Sequence, residues 1–212
     1  ASGAADEPPY VINQSIRFNQ ADDASMTRTP SSASNKRTWT FSWWWKRGNL
    51  SGSTNGTNQR QPIFGTTAFS ILSNHNSTQI DGINVVYTGS ANDIQTSEKY
   101  RDVSAWYHFV FVLDTVNNTQ AHYIGLRNSG ENLDGYLAEI NFVDGYAYGP
   151  EYFGEFNSEN IWVPIEYSGS YGTNGFFIDG RDASDLGDDE SGNGNDFTTS
   201  GLAALDQMID TP

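Results

Sequence analysis

The sequence predicts an all-β protein folded as a two-sheet antiparallel jelly-roll sandwich. Three observations carry that expectation. Aromatic residues make up 14% of the 212 residues and glycines number 21, a mixture of strand formers and turn formers that suits short strands. Apolar and polar side chains alternate along residues 37–46. Several short apolar runs are bounded by Gly, Asn and Ser clusters, and no long stretch carries a helical period.

Residues 1–10 are small, acidic and interrupted by proline, which predicts an N-terminal arm ahead of a single sandwich domain over 11–202. Ser15-Ile-Arg-Phe18 gives the first strand signal. In the next, successive side chains point to opposite faces, so Trp39, Phe41, Trp43 and Trp45 share one side and Thr40, Ser42, Trp44 and Lys46 the other. Four aromatic side chains on one face belong in a core. Further strands are expected at Pro62–Gly65, Phe69–Leu72 and Ile83–Tyr87. Trp106–Asp114 is apolar on both faces, which predicts a central strand covered on two sides. Leu137–Val143 returns to alternation, and Gly149–Glu155, with Pro150 near its start, reads as one helical turn. Residues 203–212 read as a C-terminal linker or truncated continuation.

With 26 acidic against 11 basic residues the chain carries a net charge of −15 and no basic stripe, which argues against a nucleic-acid partner. No apolar run reaches the length of a membrane span, so membrane insertion is not expected. The chain has no cysteine, which removes disulfides, thiolate metal sites and cysteine nucleophiles together.

The chain resembles the concanavalin A-like, laminin G-like jelly rolls of bacteriophage tail-fibre and other virion appendage proteins. The likeness rests on Ser15-Ile-Arg-Phe18, Arg28-Thr-Pro30, Thr38-Trp-Thr-Phe-Ser42, Arg101-Asp-Val-Ser-Ala-Trp-Tyr-His108, the run Asp134 to Gly145, Tyr171-Gly-Thr-Asn-Gly-Phe176 and Asp189-Glu-Ser-Gly-Asn-Gly-Asn-Asp196, in the family's order. The sequence departs from the family at Trp43, where a small residue is usual, and after Asp114, where about two strands are missing. The resemblance implies a non-enzymatic module at a virion surface or other extracellular location, contributing to host attachment by binding a host surface glycan. Its other reading is a purely structural virion decoration, fibre or assembly domain whose partners are other virion proteins. Either implies a homo-oligomer, commonly a trimer.

Laminarinase-like glycosidases share the superfold and set two carboxylates on one strand. Here Glu139 and Asp144 lie an odd number of residues apart, which places them on opposite faces unless a bulge intervenes, and Asn141 replaces the middle acid. Catalysis is therefore not expected. His75, His108 and His122 sit in no nucleophile motif, and His108 reads as a buried strand residue. A structural Ca²⁺ is the metal worth considering, because Asp179, Asp182, Asp185, Asp188, Asp189, Asn193 and Asn195 crowd hard oxygen ligands among flexible glycines. For carbohydrate, whose C–H faces stack on aromatic rings, the candidates are Trp44, Tyr146 and Tyr148. Tyr152, Tyr167 and Tyr171 are unranked alternatives.

Overall fold

The structure, a computed structural model, describes residues 10–32, 38–50, 59–66, 69–75, 80–87, 94–113, 121–127 and 131–212. The strands are β1 (Ser15–Phe18), β2 (Ser25–Arg28), β3 (Trp39–Arg47), β4 (Gln59–Gly65), β5 (Phe69–His75), β6 (Ile80–Tyr87), β7 (Ile94–Gln95), β8 (Tyr107–Leu113) and β9 (His122–Ile124). They continue as β10 (Leu126–Arg127), β11 (Glu131–Asn132), β12 (Gly135–Asp144), β13 (Gly154–Phe156), β14 (Trp162–Pro164), β15 (Phe176–Ile178), β16 (Thr198–Ser200) and β17 (Gln207–Met208). Short 3₁₀ turns occupy Gln20–Asp22, Pro150–Tyr152 and Ala204–Asp206; the second is the helical turn expected around Pro150.

One sheet runs β17-β1-β12-β3-β8 with β15 also paired to β12, and the other runs β16-β2-β9-β4-β5-β6-β7. The pairings are antiparallel, and the molecule is the all-β sandwich that the sequence predicts. Trp39, Phe41, Trp43 and Trp45 are buried between the sheets. The indole of Trp43 lies between Phe41 and Phe109, stacked at 4.8 and 5.3 Å. The ion pair of Arg47 on β3 with Asp81 on β6, at 2.9 Å, ties the two sheets together, with both side chains buried.

Two expectations change. β8 is not central: among the described residues it pairs only with β3 and forms the edge of its sheet. Its two apolar faces have a different origin. The inner face packs into the core, while Val110 and His108 on the outer face lie under the segment 145–171, against the Phe153–Tyr167 cluster and Trp162. Residues 203–212 are also no free linker. Gln207–Met208 pairs with β1, Arg17 holds Asp206 at 2.8 Å, and the Asp210 carbonyl accepts from Ser15 Oγ at 2.6 Å. Of the expected arm, residues 1–9 lie outside the described residues, as does 114–120, where the family's missing hairpin would fall.

The six-stranded sheet therefore has a second buried layer on its outer side. Ile12, Trp44 and Ala138 form one cluster there, and Val143, Phe153 and Tyr167 another. The three consecutive indoles serve two cores at once: Trp43 and Trp45 fill the space between sheets, and Trp44 fills the outer layer.

Candidate functional site

β3 positions the site through its outer-facing polar residues. Thr40 Oγ1 donates to the Tyr146 carbonyl at 2.9 Å and accepts the Tyr148 backbone N–H at 2.8 Å. This fixes the chain as it leaves β12 through Gly145, whose φ of +95° favours glycine. The 3₁₀ turn at Pro150–Tyr152 then reverses the chain, and the Phe153 N–H closes it on the Pro150 carbonyl. Tyr152 comes back over Tyr148.

The result is a ladder of three rings. Tyr146 and Tyr148 stack 5.4 Å apart with planes inclined by 3°, and Tyr148 and Tyr152 stack at 4.1 Å and 25°. The two end rings remain open to solvent, Tyr146 at 43% and Tyr152 at 45% exposure. Parallel rings held from the backbone lose little freedom when a flat apolar surface settles on them, which is the arrangement that a sugar ring's C–H face requires. From Tyr148 the aromatic path continues inward through Tyr167, Tyr171 and Phe177.

That path borders a groove made of two adjoining cavities, of 160 and 230 Å³, which share Glu166, Phe177 and Arg181. Glu139 lies at its inner end, in a β-bulge of β12 where the register shifts between Ala138 and Asn141. Its φ of +49° is a left-handed conformation that costs a non-glycine residue energy. The side chain is 6% exposed and accepts a hydrogen bond from the Tyr10 hydroxyl. Burial pushes its carboxyl up to about 7, with the neighbouring Asp179 adding to the rise and the Tyr10 hydrogen bond opposing it. The Tyr10 and Tyr171 hydroxyls are also pushed up, first by burial and then by Glu139.

The structure brings together Tyr146 and Tyr148 of the expected carbohydrate residues, but not Trp44. That indole is 6% exposed and stacks on His108 at 4.8 Å within the cluster of Ile12 and Ala138. It is covered, so no ligand reaches its face. Tyr152 completes the ladder. In the sequence it stood only among the unranked alternative tyrosines, because the turn at Pro150 that brings it back over Tyr148 carries no ligand signal. Glu166, Arg181, Gln14 and Tyr10 carried no motif, because tertiary packing alone gathers them.

The acidic stretch does not converge on an ion. Asp179 engages Arg181, Asp182 Oδ1 accepts from the Ser184 N–H at 2.8 Å, and Asp185 accepts from the Gly187 N–H at 3.1 Å. Asp189 accepts backbone N–H groups from Phe177, Ser191 and Asn195. Asn193 and Asn195 both donate to the Gly175 carbonyl. Asp188 lies near Asp196 and Asp185, which add to a burial-driven rise in its carboxyl. These side chains build successive turns, and no group of three or more carboxylate or imidazole side chains among the described residues could hold a metal ion. The set does not fit a calcium site.

Neither the Glu139–Asp144 carboxylates nor the Ser42–His108 pair has the geometry of a catalytic pair. Despite the bulge, Asp144 pairs with Trp39 on the core side and accepts the Asn174 N–H at 3.0 Å, whereas Glu139 points outward to Tyr10. His108 Nε2 lies 2.9 Å from Ser42 Oγ, superficially a serine–histidine pair. Its Nδ1, however, accepts the Trp162 indole N–H at 3.0 Å. A neutral ring accepting at Nδ1 carries its proton on Nε2, so it donates to Ser42 and cannot take that hydroxyl's proton. Burial holds the imidazole neutral, down to about 4.

Fold and site together define a lectin-like β-sandwich carrying an exposed aromatic ladder beside an acidic groove. No family model matches the chain, and no curated protein matches it. Among solved structures, the chain is similar to a Bacteroides ovatus protein provisionally named a carbohydrate binding protein, with a TM-score of 0.59 and 12% identity. The match covers 92% of this chain but spans only 60% of that one. At this identity the likeness is one of fold.

Proposed function

We propose that the chain is a non-enzymatic carbohydrate-binding module that contributes to host attachment as part of a phage appendage. The observation that carries the binding is the Tyr146–Tyr148–Tyr152 ladder, whose parallel rings are pinned from Thr40 and stay open at both ends. The solved neighbour's provisional carbohydrate-binding name supports the same reading. The appendage setting and the trimeric state rest on the family resemblance. A trimer would convert a weak contact per module into useful avidity.

A glycan array probed with the wild-type domain and with Tyr146→Ala and Tyr152→Ala tests the binding. Selective binding is expected, weakened about tenfold or more by either variant, since each removes an aromatic stacking contact of about 1 kcal/mol plus its apolar contact area. Equal binding by the variants, at unchanged melting temperature, would refute the ladder's role. The alternative, a structural virion domain, is favoured by β8, whose seven residues all remain partly exposed at a sheet edge. Recovery of the domain in a stable complex with other virion proteins, and no glycan binding, would support that second reading.

A further inference from the structure

We propose that residues 10–14 form a strap over the inner end of the groove, and that ionisation of Glu139 beneath it releases the strap while the sandwich stays folded. Two side chains hold the strap down. Its backbone from Tyr10 to Gln14 belongs to no strand and forms no backbone–backbone hydrogen bond among the described residues. Val11 and Asn13 are exposed, whereas Tyr10 donates its hydroxyl proton to Glu139, and Ile12, 4% exposed, sits against Trp44 and Ala138. A segment with so few internal contacts opens at a lower cost than the paired strands beneath it.

The strap is also what keeps Glu139 out of water. Residues 10–14 line the 160 Å³ cavity together with Glu139, Glu166, Phe177, Asp179 and Arg181, so lifting them opens that cavity to solvent. The titratable groups around Glu139 are Tyr10 on the strap, Tyr171 ahead of β15, Asp179 and Arg181 just after it, and Glu166. Arg181, the one cation among them, is engaged by Asp179 at 2.6 Å, and the Tyr171 hydroxyl donates to Asn141 at 2.6 Å. Burial therefore outweighs the Tyr10 hydrogen bond, and with the strap closed the Glu139 carboxyl sits at about 7 against an ordinary 4.5. The Tyr10 hydroxyl, pushed up by burial, stays protonated across this range. The advantage of the closed form is full below pH 4.5 and is lost as the pH rises through 7, so the opening equilibrium rises about tenfold per pH unit between those values.

Digestion with chymotrypsin between pH 6 and pH 8, followed by mass spectrometry, tests this whatever the groove binds. Tyr10 enters the protease's apolar specificity pocket only after it has left Glu139. Glu139→Gln still accepts the Tyr10 proton and has no charge to bury. The rate of the cut after Tyr10 in the wild type, divided by that in Glu139→Gln at the same pH, cancels the protease's own pH dependence. It should rise about tenfold from pH 6 to pH 8, because such cuts follow the population of the open form. Cuts after Phe41 and Phe142, buried in the sandwich, report unfolding of the whole domain and should stay at least about tenfold slower than the cut after Tyr10. Labelling of Ile12→Cys by a neutral maleimide, in a chain with no other cysteine, reads the same opening without a protease and should give the same ratio. A ratio that stays flat with pH in both measurements overturns the proposal. So does a cut after Tyr10 that is no faster than the core cuts, since the strap would then open only with the domain.

Discussion

Glu139→Gln is the substitution whose effect the structure defines most sharply. In the unfolded chain the carboxyl titrates near 4.5, and in the fold burial raises it to about 7. The folded state therefore favours the protonated acid. Its contribution to stability is full below pH 4.5 and is lost as the pH rises through 7. At about 1.4 kcal/mol per pH unit, the rise corresponds to about 3 kcal/mol lost at pH 8 relative to pH 4. Glutamine keeps the shape and has no charge to desolvate. The difference in stability between variant and wild type should thus shift towards the variant by about 3 kcal/mol from pH 4 to pH 8, or about 6–12 °C in melting temperature for a chain of this size. Thermal melts followed by circular dichroism across that range measure it. A difference that stays flat with pH would refute the burial argument, and with it the placement of Glu139 under Tyr10. A second variant guards the interpretation: Tyr10→Phe removes the hydroxyl that stabilises the carboxylate and should move the wild-type titration to higher pH.

Trp43→Ala should destabilise the domain by about 3–5 kcal/mol, since the indole is buried between Phe41 and Phe109, and urea unfolding reads this as a lower midpoint at unchanged slope. Arg47→Met removes from buried Asp81 its buried ion-pair partner, while the exposed Arg101 still pairs with it, and should cost about 3 kcal/mol or more by the same measurement. His122 is held down to about 4 by burial and by Arg28, so its contribution is full above 6.5 and is lost as the pH falls towards 4. His122→Gln should flatten that acid limb of the stability profile. Added Ca²⁺ or chelator should leave the melting temperature unchanged, and a rise with Ca²⁺ would show that the turns at 179–196 gather around an ion after all.

Much of the fold was legible because it depends on local alternation. Trp39, Phe41, Trp43 and Trp45 announce an inward face by spacing alone, and the structure buries all four. The edge position of β8 was not legible for a physical reason. A strand apolar on both faces reports that both faces are covered, not what covers them, and here Phe153 at the end of a 3₁₀ turn and Trp162 of the short β13–β14 hairpin do what a neighbouring helix or large sheet does elsewhere. The acidic stretch misled in the opposite sense. Asp and Asn are ligands for hard cations and are also the best turn residues, and composition cannot separate the roles; only the direction of each side chain does, as with Asp189 accepting three backbone N–H groups. Within the site, Tyr146 and Tyr148 were visible only as aromatic residue types suited to stacking on a sugar, whereas the groove draws on Gln14, Glu139, Glu166 and Arg181, which only the closed sandwich brings together.

Trp44 shows why the outer layer matters to the function as well as to stability. Its ring stacks on His108, which bonds Ser42 on one side and Trp162 on the other. The same strand's Thr40 holds the ladder at Tyr146 and Tyr148. β3 therefore fixes the covering segment at two separate points, one aromatic and buried, the other polar and beneath the exposed rings. A layer pinned this way is rigid before any ligand arrives, so the ordering of Tyr146 and Tyr152 is settled during folding and does not weaken binding. Trp44→Ala should then lower stability by about 3 kcal/mol or more and weaken glycan binding only through the loosened segment. Tyr152→Ala should weaken binding at nearly constant stability. The reverse pattern, with binding lost at Trp44 in a domain that melts like wild type, would place the ligand on the buried indole and overturn the assignment of the ladder as the platform.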